Sequence, residues 1–210
     1  MPLVFPLLIA LQCGLLPAPP AVTSQAVARP VQVLNSPNNG QRITVSVLEE
    51  AEVLSVFADL ARRENIPHAA PDGGYARAHK MVRLLDDQGI TAAKAWVEGQ
   101  LYVDSKRFGE MGWGFHVAPL VFVRAGQSVT AQVLDPALFD RPVPLDTWKA
   151  KLLAKPKAKL ERVYFTTRFA YDLDQRTDQL SGYAVEALLD MEQTNKHFSK
   201  LLFLQGQGGK

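Results

Sequence analysis

Apolar residues recur at helical spacing in two segments of the first half of the chain. In residues 49–65 and in residues 75–88 they fall at i, i+3, i+4 and i+7, so each segment has one apolar helical face. Those positions are Val53, Val56, Phe57 and Leu60 in the first segment and Ala78, Met81, Val82 and Leu85 in the second. Gly89 follows the second segment, where a helix commonly ends. A long closing helix is predicted for residues 179–204.

Apolar runs of strand length fill most of the remaining chain. They are residues 42–48, 95–103, 114–124, 130–134 and 162–171. Ala125-Gly126-Gln127-Ser128 separates two of these runs and predicts a hairpin turn. Pro119 lies inside the run 114–124, which favours an edge strand or a bulge there. Helices followed by a cluster of strands predict an α+β domain rather than a parallel βαβ sheet.

The first 28 residues differ from the rest because they contain no charged side chain. Residues 3–16 are almost wholly apolar, and Ala26-Val27-Ala28 resembles a signal-peptidase cleavage site. We therefore expect residues 1–28 to be a secretory signal peptide and the protein to be secreted or periplasmic. A buried apolar arm and a lipid anchor on Cys13 are the alternatives. Residues 29–48 would then be an N-terminal extension or short pro-segment, and residues 49–210 the folded domain.

Composition excludes several classes of protein. Hydrophobic residues make up 47% and charged residues 21% of the chain, the averages of soluble globular proteins. The net charge is +2, so a strongly basic nucleic-acid-binding protein is not expected, and we expect no nucleic-acid partner. Cys13 is the one cysteine, which excludes a disulfide framework and a cysteine-based zinc site. The histidines lack metal-ligand spacing, and we expect no metal and no cofactor.

Three short motifs carry the candidate chemistry. They are Pro71-Asp72-Gly73-Gly74-Tyr75-Ala76-Arg77-Ala78-His79-Lys80-Met81, Trp113-Gly114-Phe115-His116-Val117-Ala118 and Leu134-Asp135-Pro136-Ala137-Leu138-Phe139. In this order they resemble three motifs of the bacterial protein-glutaminase family. Those family motifs read Asp-Gly-Cys-Tyr-Ala-Arg-Ala-His-Lys-Met, Trp-x-x-His-Val-Ala and Asp-Pro-Ser-Leu-Phe. The resemblance covers residues 49–151.

The resemblance implies a papain- or transglutaminase-like core, in which a central helix packs on an antiparallel sheet. It implies hydrolysis of a protein-bound glutamine side-chain amide to glutamate and ammonia, through a Cys-His-Asp triad. By resemblance, His116 is the acid and base and Asp135 orients it, while Trp113 and Tyr75 contact the substrate. A helix N-terminus favours a thiolate, and a carboxylate fixes the tautomer of an imidazole. The implied partner is a protein or peptide with an accessible glutamine.

Gly74 occupies the family's cysteine position, so the chain lacks the nucleophile. Position 74 was changed deliberately, or the chain is a natural pseudoenzyme that binds glutamine-containing proteins, or another residue supplies the nucleophile. Asp72 activating a water molecule is one form of the last hypothesis. A transglutaminase-like acyl transfer is a further alternative, because an amine can replace water in resolving an acyl-enzyme.

Other charged and imidazole side chains have simpler interpretations. Without its motif, His116 would be interpreted as a hydrogen-bonded core histidine. His79 is expected to pack or hydrogen-bond rather than to catalyse, and Arg77 and Lys80 to lie on a solvated or salt-bridged face. The basic stretch 149–162 predicts a solvated connection around Pro156, or else an electropositive patch for acidic proteins.

Overall fold

The computed structural model describes residues 29–207, which form one sheet with helices packed against it. The strands are β1 (Val31–Asn35), β2 (Arg42–Glu49), β3 (Ala93–Ser105), β4 (Gly109–Ala125), β5 (Ser128–Val133), β6 (Val143–Pro144) and β7 (Lys159–Thr167). The α-helices are α1 (Glu50–Arg62), α2 (Gly74–Asp87), α3 (Leu145–Leu152) and α4 (Val185–Gln207). A short 3₁₀ helix spans Leu173–Gln175. The α+β class predicted from the sequence is confirmed.

The sheet is mostly antiparallel and has β4 at its centre. The strand order is β1-β2-β4-β3-β7, and β5 pairs with β4 and β6. The long β3–β4 hairpin carries a register shift between Glu98 and Leu101. One pair, β2 with β4, is parallel. The turn predicted over residues 125–128 joins β4 to β5.

Helix α2 lies between the sheet and α4. Its inner face buries Ala78, Met81, Val82 and Leu85, as the helical spacing predicts. On the α4 side, Asn195 Nδ2 donates to the carbonyl oxygen of Ala76 at 3.2 Å, and Lys80 forms an ion pair with Glu192. Because α2 packs against β4 on one side and against α4 on the other, its first residue is fixed above β4.

Pro119 lies inside β4, which is central in the strand order, but the ladder with β5 begins only at Leu120, so at Pro119 the strand has a ladder partner on one side only. Pro119 pairs with Lys94 of β3 without a register shift. Its carbonyl oxygen accepts a hydrogen bond from Leu134 N at 2.8 Å. Since N–H and C=O of one strand residue face the same neighbour, the missing N–H faces β5, which ends at Val133. The loss is therefore confined to one bond at a strand end.

The start of the closing helix differs from the sequence prediction. Helix α4 begins at Val185 rather than at residue 179, because Ser181-Gly182 precedes it and glycine disfavours a helix. Residues 29–48, expected as an extension or pro-segment, contribute β1 and most of β2 to the sheet. The predicted signal peptide, residues 1–28, and the alternatives for it lie outside the described residues. None of the helices described is long and apolar enough to cross a membrane.

Candidate active site

A cleft of about 210 Å³ opens between the first turn of α2 and the middle of β4. It brings together two of the three motifs, which are more than thirty residues apart in the chain. The residues that line it are Asp72, Gly74, Tyr75, Arg77, Gly112, Trp113, Gly114, Phe115 and His116. Four of the five residues predicted for the site therefore share this cleft, and the fifth, Asp135, lies behind His116.

Gly74 is the first residue of α2 and faces His116. The preceding Gly73 adopts φ +77°, a left-handed conformation that favours glycine, and it lets the chain turn into the helix. An ideal Cβ built on Gly74 would lie 3.3 Å from His116 Nδ1. Position 74 thus directs its missing side chain at the free nitrogen of the imidazole.

His116 and Asp135 form a buried hydrogen-bonded pair. His116 lies on β4, while Asp135 lies just beyond the end of β5 rather than on a strand. Asp135 Oδ2 is 2.8 Å from His116 Nε2, and Trp148 Nε1 donates to the same oxygen at 2.8 Å. Burial opposes ionisation of Asp135, but the charge of His116 and these hydrogen bonds outweigh it. The pKa of Asp135 therefore lies below its usual range.

Trp113 and Tyr75 form walls of the cleft. The Trp113 ring stacks on the His116 ring, with centroids 4.9 Å apart and planes at 12°. Trp113 Nε1 donates to the carbonyl oxygen of Pro71 at 2.7 Å, which ties β4 to the loop before α2. Tyr75 is half-buried and touches Tyr171 edge-on, with centroids 5.3 Å apart. The imidazole is therefore held between an indole ring and a carboxylate.

Comparisons with known proteins agree with these motifs. A family model described as a glutaminase matches residues 53–152, a range that contains all three. A crystal structure of protein-glutaminase matches at 26% identity over 74% of this chain and 89% of its own, with a TM-score of 0.61. The NMR structure of protein-glutaminase from Chryseobacterium proteolyticum matches at 26% identity over 74% and 90%, with a TM-score of 0.64. Together these matches support a relationship between this chain and the protein-glutaminase family.

A third solved structure extends the comparison to a precursor. The crystal structure of pro-protein-glutaminase matches at 26% identity with a TM-score of 0.62, over 74% of this chain and 59% of its own. The chain has no significant match among curated protein sequences. The fold and the family model therefore both show similarity to protein-glutaminases.

Arg77 is a residue of the protein-glutaminase-like motif that the sequence placed wrongly. Expected on a solvated or salt-bridged face, it is only 3% exposed, and its Nη1 donates to the carbonyl oxygen of Asp72. Burial lowers the pKa of Arg77, while the nearby Asp135 and Asp72 raise it. A buried guanidinium beside the cleft is thus part of the site. Lys80 does lie at the surface of α2, where it pairs with Glu192.

The basic stretch 149–162, which lies outside the protein-glutaminase-like motifs, is largely neutralised by neighbouring acids. Lys155 pairs with Asp104 at 2.7 Å, and Lys157 pairs with Glu110. Arg162 approaches Glu98 at 3.3 Å, and Lys149 approaches Asp146 at 2.7 Å. These contacts are those of a surface connection tied to the β3–β4 hairpin. Within residues 29–207, no group of three or more His, Cys, Asp or Glu side chains is arranged to hold a metal ion.

Proposed function

We propose that this chain carries the glutamine side-chain site of a protein-glutaminase-like amidohydrolase, with His116 and Asp135 in place and the nucleophile absent at Gly74. One observation carries the proposal, namely that the Cβ direction of residue 74 meets His116 Nδ1 at 3.3 Å. In the form described, the protein would hold a glutamine side chain of a protein or peptide without hydrolysing it. It would then act as a binding protein derived from an enzyme.

The chemistry that a cysteine would supply at position 74 follows from this arrangement. His116 Nδ1 would take the thiol proton, and the thiolate would attack the amide carbon. The C–N bond would break as the imidazolium returned that proton to the leaving nitrogen, which departs as ammonia. Water, deprotonated by His116, would then hydrolyse the thioester to glutamate. Asp135 would keep the imidazole in one tautomer throughout.

No other side chain of the cleft is a good substitute for the missing cysteine. The lining residues include no serine, threonine or cysteine. Asp72, the candidate for activating a water molecule, is exposed, and its Oδ1 accepts a hydrogen bond from Gly73 N at 2.7 Å. Asp72 therefore lies at the exposed edge of the cleft, and one of its carboxylate oxygens is already hydrogen-bonded to the backbone. These contacts favour the hypothesis of a site without turnover over that of a hidden nucleophile.

The decisive experiment is Gly74→Cys, assayed for ammonia release from a glutamine-containing protein and by mass spectrometry of that protein. We expect activity to appear, to vanish on alkylation, and to be lost again in Gly74→Cys/His116→Ala. The new Cβ is slightly close to the imidazole, so we expect the ring to move by a few tenths of an ångström. The unmodified protein should release no ammonia and leave the substrate mass unchanged.

A matched control is available in the same cleft. Gly114 also lines it, but a Cβ there has no atom within 4 Å. Gly114→Cys therefore adds a thiol without a histidine partner and should stay inactive. Activity in both variants, or in neither, would contradict the proposed triad geometry. Crosslinked products instead of a gain of about one dalton per site would favour the acyl-transfer alternative.

A further inference from the structure

Two buried side chains point nitrogen atoms at the space beside Gly74. The ideal Cβ position of this glycine lies 3.3 Å from His116 Nδ1 and 3.7 Å from Arg77 Nη2. Both side chains are more than nine-tenths buried, at 4% and 3% exposure. Because Gly74 has no side chain, the region in front of these two nitrogens stays open and forms part of the cleft that His116 and Arg77 line.

Arg77 offers this space a hydrogen-bond donor. Its Nη1 is already bonded to the carbonyl oxygen of Asp72. Among residues 29–207 no carboxylate forms an ion pair with the guanidinium, and the nearest negative charges acting on it are those of Asp135 and Asp72. An arginine side chain stays charged in proteins and has five N–H donors. The Nη2 group facing Gly74 is therefore ready to donate to an oxygen of a ligand.

His116 offers the same space a hydrogen-bond acceptor. Its Nε2 lies 2.8 Å from Asp135 Oδ2, which also accepts from Trp148 Nε1. An ionised carboxylate can only accept, so Nε2 carries a proton, and the tautomer that binds a ligand donor is the one with its proton on Nε2 alone. The other nitrogen, Nδ1, then presents its lone pair toward Gly74. The space thus has one donor and one acceptor, each within 4 Å of the ideal Cβ position of Gly74.

We propose that Arg77 holds the carbonyl oxygen of the ligand's primary carboxamide through Nη2, while one amide hydrogen of that carboxamide lies on His116 Nδ1. Arg77 is then the residue that determines specificity for the ligand oxygen. A carboxylate has no hydrogen to give to Nδ1, and a dialkylated amide has none either. The inference rests on the proposed function in taking a glutamine side chain as the natural ligand, and it adds a role for Arg77.

The ligand half of the test uses three small probes on the full Gly74 chain. Propionamide and propionate have the same size and shape, N,N-dimethylpropionamide adds two methyl groups on nitrogen, and binding of each is followed through the NMR signals of the His116 ring. We expect propionamide to bind about tenfold more tightly than either analogue, as for one lost hydrogen bond involving a charged or buried group. Propionate binding as tightly or more tightly would show an anion site and overturn the proposal.

The protein half of the test removes the donor. Arg77→Gln keeps an N–H for the Asp72 carbonyl and shortens the reach toward Gly74, and we expect propionamide to bind about tenfold more weakly. Arg83→Lys is the control, because Arg83 lies on the same helix and packs over the Tyr183 ring at 4.8 Å instead. Its affinity should not change. Should Arg77→Gln fail to fold, Arg77→Met, which has no N–H donor, takes its place with the same expectation, and unchanged affinity in a folded Arg77 variant overturns the proposal.

These measurements need no turnover, so they separate this inference from the proposed function. If Gly74→Cys is active while Arg77 variants bind propionamide normally, the role of Arg77 fails and the deamidase geometry stands. If carboxamide binding depends on Arg77 while Gly74→Cys is inactive, the binding site stands and the proposed amidohydrolase chemistry fails.

Discussion

At the scale of single residues, the Asp135 carboxylate connects the candidate site to the core. Its Oδ2 accepts from His116 and from Trp148, each at 2.8 Å, and its Oδ1 accepts from Ala137 N at 3.2 Å. The carboxyl group is fully buried, so each donor offsets part of the cost of keeping a charge away from water. Its ionisation therefore depends on His116 in the cleft and also on Trp148 and Ala137, which do not line it.

Trp148→Phe tests that dependence. The phenyl ring keeps most of the packing but donates no hydrogen bond, so the pKa of Asp135 should rise from its lowered value. A carboxyl group with a lowered folded pKa stabilises the fold above its unfolded pKa and loses that effect as the pH falls through the folded value. The unfolded chains titrate alike, so the acid-induced loss of stability should begin at the same pH in both proteins but be smaller, and end at higher pH, in the variant. At neutral pH we expect a cost of about 1.5–3 kcal/mol, measured by urea unfolding.

Trp96→Phe is the matched control for this change. Trp96 is also fully buried, and its Nε1 donates to Thr166 Oγ1 at 2.9 Å rather than to a carboxylate. Both variants lose one indole and one hydrogen bond, but only Trp148→Phe should shift the Asp135 titration seen by carbon-13 NMR. Equal titrations in the two variants would show that Trp148 does not hold the carboxylate.

The same residues show what sequence reasoning can and cannot find. Gly74 and His116 share one cleft, and each lies in a motif whose order along the chain is informative. Arg77 was misplaced because its residue type suggested a surface, although it lies four residues before Met81 on the buried helical face. The four-residue spacing between Arg77 and Met81 could have predicted that Arg77 is buried. The contact between Trp148 and Asp135 has no such signal, because it is set by tertiary folding.

At the scale of elements, a buried pair without a carboxylate joins α2 to β3. Lys94 and His79 are both fully buried, and Lys94 Nζ lies 2.7 Å from His79 Nδ1 and 2.5 Å from the carbonyl oxygen of Ala170. Tyr171 and Tyr183 contact the imidazole edge-on. Burial first, and then the charge of Lys94, lower the pKa of His79 to about 2. The helix that carries Gly74 is thus held against the sheet by a neutral histidine.

This pair should make the fold sensitive to acid. A histidine with a lowered folded pKa stays neutral in the fold but gains a proton in the unfolded chain below its ordinary value of about 6.5, so stability falls as the pH drops. At about pH 5 the cost is roughly 2 kcal/mol. His79→Gln keeps an acceptor for Lys94 but does not titrate, so urea unfolding between about pH 7 and pH 5 should show a flatter slope. His197→Gln, on the exposed side of α4, should keep the original slope, and equal slopes in all three proteins would refute the assignment.

Elements were predictable in proportion to the strength of their periodicity. The helices α1 and α2 each show a full apolar face over more than three turns, and both were found within a few residues. Helix α3 was missed because its eight residues bury only Trp148 and Leu152, too short a pattern to distinguish from a loop. Strand β1 was missed because four of its five side chains are exposed, so alternation gave no signal. Its place depends on pairing with β2.

At the scale of the whole molecule, the candidate site is assembled by the sheet from distant segments. Residues 74, 116 and 135 come from a helix start, the central strand and the loop after β5. The connection between β1 and β2 reaches across to β7, since Ser36 Oγ accepts from Phe165 N at 2.6 Å and Asn39 Nδ2 donates to Phe165 O at 2.8 Å. A short extension could be expected from the sequence, but its attachment to the far strand could not, because both contacts span more than 120 residues.

This attachment predicts that residues 29–48 are needed for folding. Five of their apolar side chains are buried, namely Leu34, Ile43, Val45, Val47 and Leu48. Each contributes roughly 1.5–3 kcal/mol, so together they approach the whole stability of about 5–15 kcal/mol that is usual for a domain. A fragment spanning residues 49–210 should therefore show no cooperative thermal transition by circular dichroism, while a chain beginning at Arg29 should unfold cooperatively. If the shorter fragment folds and melts like the longer one, residues 29–48 are a detachable segment, as the pro-segment hypothesis requires.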